Sequence, residues 1–197
     1  MRILLSSGSP RRKELLSLLG IPFSIIIPDI PEIQVTGEPA RQFCSRISRE
    51  KAHSVARLHP DTLVIGADTI VVVDDLILGK PKDEAQAREY LLLLRNRVHD
   101  VFTGYTITHG KRSRSRVVRT RVRFRPMSHA EIDWYIASGE PMDKAGAYAV
   151  QGIAAMFIDR IQGSFTNVIG LPLAELYDDL KLFGIQHQSI AQGGSVA

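Results

Sequence analysis

The run Thr62-Leu63-Val64-Ile65-Gly66-Ala67-Asp68-Thr69-Ile70-Val71-Val72-Val73 constrains this chain more than any other stretch. Its density of β-branched residues is that of a strand, or a strand pair, buried in a sheet. Asp68 stands in the middle of it. An ionised carboxylate is costly to desolvate unless a cation, a donor or a metal lies beside it, so Asp68 needs a partner. Two chemical roles suit it, a magnesium ligand or a general base that deprotonates a water. The plain alternative is a turn carboxylate at a strand end.

Around that run, strand-like and helix-like segments alternate. Arg2 to Leu5 is a short apolar strand ending in Ser6-Ser7-Gly8-Ser9-Pro10. From Arg11 leucines recur at helical intervals until Gly20, with Pro10 suited to the first turn and Ser9 to the cap. Phe23 to Ile27 is a second apolar run. Ala40 to Leu58 predicts a helix closed by His59-Pro60, and Glu84 to Leu94 predicts another after the turn Gly79-Lys80-Pro81. Val98 to Thr108 returns to strand, and Val117 to Phe124 alternates strictly, with arginines on one face. A capping box at Ser128 opens a helix to Ala137. Ala147 to Val150 and Met156 to Ile161 are further strand candidates, and Leu173 to Phe183 is a final helix.

The pattern is that of an α/β protein. Its 197 residues, 44% of them hydrophobic, are enough to bury a full core. Without internal repeats or a Pro, Gly and Ser-rich linker, residues 1–186 are expected to form one unit, and residues 187–197 a disordered tail. The single cysteine, Cys44, excludes an internal disulfide and a multi-cysteine zinc site. The opening apolar stretch is too short for a signal peptide or a membrane span, which makes a cytoplasmic protein with no membrane partner the expectation. A net charge of +4 suits a polyanionic partner but does not decide between nucleotide, nucleic acid and neither.

Ser7-Gly8-Ser9-Pro10-Arg11-Arg12 places hydroxyls, a permissive glycine, a helix amino terminus and two guanidiniums within six residues, as an anionic phosphate chain requires. A capped helix with two solvated arginines is the plain alternative. Glu32 in its proline-flanked loop and Lys51 in a charged helix read, by themselves, as solvated side chains. Lys80 lies in a tight turn open to either phosphate contact or solvent. Asp143 to Gly152 and Gly163 to Leu173 combine small residues with isolated polar ones, as walls close to a ligand do. The basic strand carrying Arg119, Arg121, Arg123 and Arg125 could track a nucleic-acid backbone, which makes a nucleic-acid-binding protein the competing class. A solvated exposed or edge strand is the favoured reading of that face.

Taken in order, Ser7 to Arg12 with Glu14-Leu15-Leu16, Lys51-Ala52, Gly66-Ala67-Asp68-Thr69, Gly79-Lys80-Pro81, Asp143-Lys144-Ala145-Gly146 and Gly170-Leu171-Pro172-Leu173 resemble the Maf family, from about Ile3 to Gly184. The resemblance implies an elongated mixed sheet flanked by helices, related to the inosine triphosphatases, with the nucleotide in a cleft between two lobes, and a homodimer. It implies hydrolysis of a nucleoside triphosphate to the monophosphate and pyrophosphate with Mg²⁺ or Mn²⁺. Carried over by position, Ser7, Ser9, Arg11, Arg12, Lys51 and Lys80 would hold the triphosphate. Glu32 and Asp68 would handle metal and water, Lys80 would assist catalysis, and Gln151 would face the base. The stretch Lys144-Ala145-Gly146-Ala147-Tyr148 with Gln151-Gly152 resembles the branch acting on dTTP and UTP. Pro31 departs from the pattern, standing where an acid often precedes Glu32.

Overall fold

In a computed structural model of the chain, which describes residues 1–186, six α-helices surround one seven-stranded sheet. The elements are β1 (Ile3–Ser6), α1 (Pro10–Ser17), β2 (Ser24–Ile26), α2 (Ala40–Ala56), β3 (Leu63–Val73), β4 (Leu76–Leu78), α3 (Glu84–Leu94), β5 (Val98–His109), β6 (Arg112–Phe124), α4 (His129–Ala137), β7 (Ile158–Gln162), α5 (Phe165–Ile169) and α6 (Leu173–Leu182). The strand order is β2-β1-β3-β5-β6-β7, with β4 paired to the far end of β3. Pairs β1–β2 and β1–β3 are parallel and the rest antiparallel. The sheet is therefore mixed, and the fold class is α/β. No helix among the described residues is long and apolar enough to cross a membrane.

The long apolar run is a single continuous strand, with Asp68 in its interior rather than at an end. Two large hydrophobic clusters lie along one face of it, and two smaller ones pack α2 against the other. One large cluster gathers Leu5, Leu16, Ile65, Tyr105 and Leu176 around β1, β3, β5, α1 and α6. The other large cluster gathers Val71, Leu91, Val101, Phe124 and Tyr135 where α3 and α4 cover β5 and β6.

Helix α2 crosses β3 and β5 at a separation that only glycine permits. A Cβ on Gly66 would come within 2.5 Å of the Ala52 amide nitrogen and 2.6 Å of the Ser48 carbonyl oxygen, and one on Gly104 within 2.7 Å of the Cys44 carbonyl oxygen. These neighbours are backbone atoms and cannot turn aside. We expect Gly66→Ala to destabilise the protein by about 3 kcal/mol, which for a chain of this size lowers Tm by roughly 6–12 °C. An unchanged thermal unfolding curve would show that α2 is free to lift from the sheet.

Three sequence expectations need correction. Ala147 to Val150 is not a strand, because Gly146 (φ 68°) and Ala147 (φ 60°) are both left-handed and turn the chain within the short 3-10 segment Ala145–Ala147. Met156 belongs to a 3-10 turn, Ile153–Phe157, and β7 runs from Ile158 to Gln162. The arginine strand starts earlier, at Arg112, and lies between β5 and β7 rather than at an edge. Nor is its basic face merely solvated, since Arg119, Arg123 and Arg125 are paired to other elements, as is Arg114 on the opposite face. Arg114 meets Asp179 of α6 at 2.5 Å, Arg119 grips Asp100 of β5 at 2.7 and 2.8 Å, and Arg123 meets Asp159 of β7 at 3.1 Å. Arg125, just beyond β6, meets Glu131 of α4 at 2.7 Å. Guanidiniums engaged in this way are less available to a phosphate backbone. The tail expectation, residues 187–197, lies outside the described residues.

Candidate active site

Strand β1 ends at Ser6, and the chain turns through Ser7, Gly8 and Ser9 into α1, opening that helix towards the carboxyl end of the parallel strands. Ser9 caps the helix by accepting the Arg12 amide at 3.4 Å, and Pro10 occupies the first turn. The two arginines behave differently. Arg12 is buried and points inward, donating to the Gly170 carbonyl (3.0 Å), Ser7 Oγ (3.1 Å) and Thr69 Oγ1 (3.0 Å). Burial pushes its guanidinium below its usual value, against the pull of Asp68 and Glu32. Arg11 is partly exposed and lines the opening.

Asp68 has the partner its burial demands. Lys51, reaching down from α2, places its Nζ 2.7 Å from Asp68 Oδ1 and 2.7 Å from Glu32 Oε1. Lys51 and Asp68 are only 6% and 4% exposed, so solvent does little to screen this pair. Glu32 is the open member, its side chain 54% exposed. Burial would push its carboxyl up, but the charge and hydrogen bond of Lys51, helped by Arg12 and Lys80, hold it below the usual carboxylate range.

These groups line one cleft of about 370 Å³. Ser7, Ser9, Arg11, Arg12, Glu32, Lys51, Asp68 and Lys80 all contribute to its walls. Gln151 does not. It is exposed and lies in a shallower neighbouring depression, which shares Pro10, Arg11 and Asp143 with the cleft. The remaining wall is largely apolar and draws on both large clusters, with Val71, Val101 and Tyr148 from one and Ile169 from the other. The cleft thus opens between two lobes.

Sequence reasoning pointed to Asp143 to Gly152 and Gly163 to Leu173 as walls, and both contribute to the cleft, but it missed three particulars. Thr69 Oγ1 joins Arg12 to Thr103 at 2.9 Å, and its only signal was its position after Asp68. The Gly170 carbonyl anchors Arg12 from α5, a five-residue helix capped by Ser164 that reads in sequence as a glycine-rich turn. Tyr148 is a cleft wall rather than a strand residue.

In chemical terms, four cations and three carboxylates face one another across the cleft. Fixed cations beside a helix amino terminus suit a polyphosphate. The oxygens of Glu32 and Asp68 already converge on one positive charge, the donor chemistry that a hard divalent cation needs. Among the described residues no three His, Cys, Asp or Glu side chains gather as a metal site.

Residues 2–183 match the model of the family described as Maf-like protein. A dTTP/UTP pyrophosphatase of Syntrophus aciditrophicus (strain SB) is 47% identical over 185 residues, covering 93% of this chain and 90% of that protein. One from Myxococcus xanthus (strain DK1622) is 46% identical over 183 residues, covering 93% of each. Among solved structures, the Staphylococcus aureus Ham1 protein superposes with a TM-score of 0.51 at 15% identity, covering 91% of this chain and 100% of that one, a likeness of fold. Agreement from one end of the match to the other, over a cleft built from blocks far apart in sequence, allows one assignment. The chain belongs to the family of Maf-like proteins.

Proposed function

We propose that this protein hydrolyses nucleoside triphosphates to the monophosphate and pyrophosphate with the help of a divalent cation, and that dTTP and UTP are its preferred substrates. The observation that carries the reading is the meeting of Arg11, Arg12, Lys51 and Lys80 with Glu32 and Asp68 in one cleft. The names of the relatives support the substrates. The cation would be Mg²⁺ or Mn²⁺, and Glu32 and Asp68 would hold it. When bound, it withdraws charge from the phosphate oxygens and so favours attack at phosphorus.

Within this reading Asp68 orients a water and accepts its proton as the oxygen attacks the α-phosphorus. The bond from the α-phosphorus to the bridging oxygen breaks, and pyrophosphate leaves. Arg11, Arg12 and Lys80 face the charge that develops on the leaving group, where preorganised cations in a water-poor site count most. Lys51 holds both carboxylates in position and reaches the phosphates from the same side. The base extends past Arg11 and Asp143 towards Gln151. The folded unit spans residues 1–186, and two copies form a homodimer in the cytoplasm.

The test is a panel of pyrimidine and purine triphosphates assayed with Mg²⁺ and with Mn²⁺. Hydrolysis is expected to be fastest on dTTP and UTP, and failure to cleave any triphosphate with either ion overturns the reading. Lys80 is exposed between Gly79 and the buried Pro81, and truncating its side chain disturbs little else. We expect Lys80→Ala to lower kcat/KM at least tenfold, about 1.4 kcal/mol for one charge-assisted contact. An unchanged rate would remove Lys80 from the site.

A further inference from the structure

His99 is a buried titratable group that the reaction above does not use. It lies on β5 at 2% exposure, on the same face as Val101 and Thr103. Burial pushes its imidazole down to about 3, so the ring is neutral at physiological pH. Its Nε2 shares a 2.7 Å hydrogen bond with the Tyr148 hydroxyl, and its Nδ1 has no partner among the described residues. His99, Phe124 and Tyr148 also meet edge to face, with ring centroids 4.8 to 5.3 Å apart.

The backbone before Tyr148 is equally committed. Ala147 is held at φ 60°, a conformation unfavourable for a residue with a Cβ, directly after the left-handed Gly146. Gly146 packs so closely on Val71 that a Cβ there would come within 2.8 Å of its side chain, and its amide donates to the Gly79 carbonyl at 3.0 Å. The turn is thereby tied to the neighbour of Lys80. Val71 and Val101, register partners across β3 and β5, continue the same apolar wall. A strained turn and a buried imidazole thus fix one ring at the apolar wall of a cleft whose other groups are charged.

We infer that His99 is a positioning residue, and that through Tyr148 it sets the wall against which the sugar of the nucleotide rests before the base passes towards Gln151. The inference builds on the proposed function and assigns this wall to the part of the substrate that is not phosphate. The cations of the cleft recognise phosphate in any triphosphate. A fixed apolar ring beside them adds contact area only when a nucleoside is attached.

The experiment compares Tyr148→Phe, which removes only the hydroxyl, and His99→Phe with the parent, each first checked for folding by thermal unfolding. Two quantities are measured with Mg²⁺, the kinetics on dTTP and the inhibition constant of inorganic tripolyphosphate, which lacks sugar and base. Both variants are expected to raise KM for dTTP at least fivefold, with kcat within twofold of the parent and tripolyphosphate inhibition unchanged. An unchanged KM in both variants overturns the inference. So does a parallel loss of dTTP and tripolyphosphate affinity, which would signal general loosening of the cleft. If His99→Phe fails to fold, Tyr148→Phe decides alone. A parent protein that cleaves no triphosphate overturns the proposed function and this inference together, whereas an active parent with unmoved variants overturns this inference only.

Discussion

An Asp68→Asn variant is expected to stay folded and to lose roughly 10³-fold in kcat, within the span usual for loss of a positioned general base. Asparagine has nearly the same shape, so the packing of β3 under α2 is preserved. Lys51 keeps Glu32 as its counter-ion, so no buried cation is left alone. In the proposed mechanism, what disappears is the group that takes the proton from water and one of the two carboxylates that would hold the cation. The check is steady-state turnover of dTTP beside a thermal unfolding curve. Full turnover in a folded variant would take the base away from Asp68. A collapse of stability would instead mean that the carboxylate serves chiefly as a structural partner of Lys51.

The second large effect belongs to Lys51. Lys51→Met keeps the length and apolar stem of the side chain but strips Asp68, 4% exposed, of the cation that balances it. Breaking a buried pair from one side costs about 3–5 kcal/mol, because the remaining charge stays desolvated. For a chain of this size that lowers Tm by roughly 6–20 °C. Glu32→Gln provides the contrast. Its side chain is more than half exposed, and pairs of that kind contribute about 0–1 kcal/mol, so Tm should barely move. Equal shifts in the two variants would contradict the division between a buried anchor and an open ligand.

How much of this was legible in the sequence depended on how local each signal was. The β-branched run marked β3, and Asp68 within it announced a need for a partner. The cap of Ser9 and the capping box at Ser128 were readable because each involves residues three apart in the chain. Lys51 and Glu32 were not readable from their surroundings. A lysine in a charged helix and a glutamate in a loop look solvated until the fold brings them together from 19 positions apart, and only the family resemblance pointed to them. The same limit hid the difference between Arg11 and Arg12, which depends on a carbonyl at Gly170. The arginine strand was misjudged because its acidic partners lie on β5, β7, α4 and α6. At Tyr148 the apolar run imitated a strand, and Gly146 was the sign that a left-handed turn came first.

In the proposed reaction, water assisted by Asp68 attacks the α-phosphorus and expels pyrophosphate. Hydrolysing dTTP in heavy-oxygen water and locating the label by mass spectrometry tests it most directly. Label is expected in the monophosphate and none in the pyrophosphate. Label in pyrophosphate, or in released orthophosphate, would place the attack at another phosphorus and contradict it.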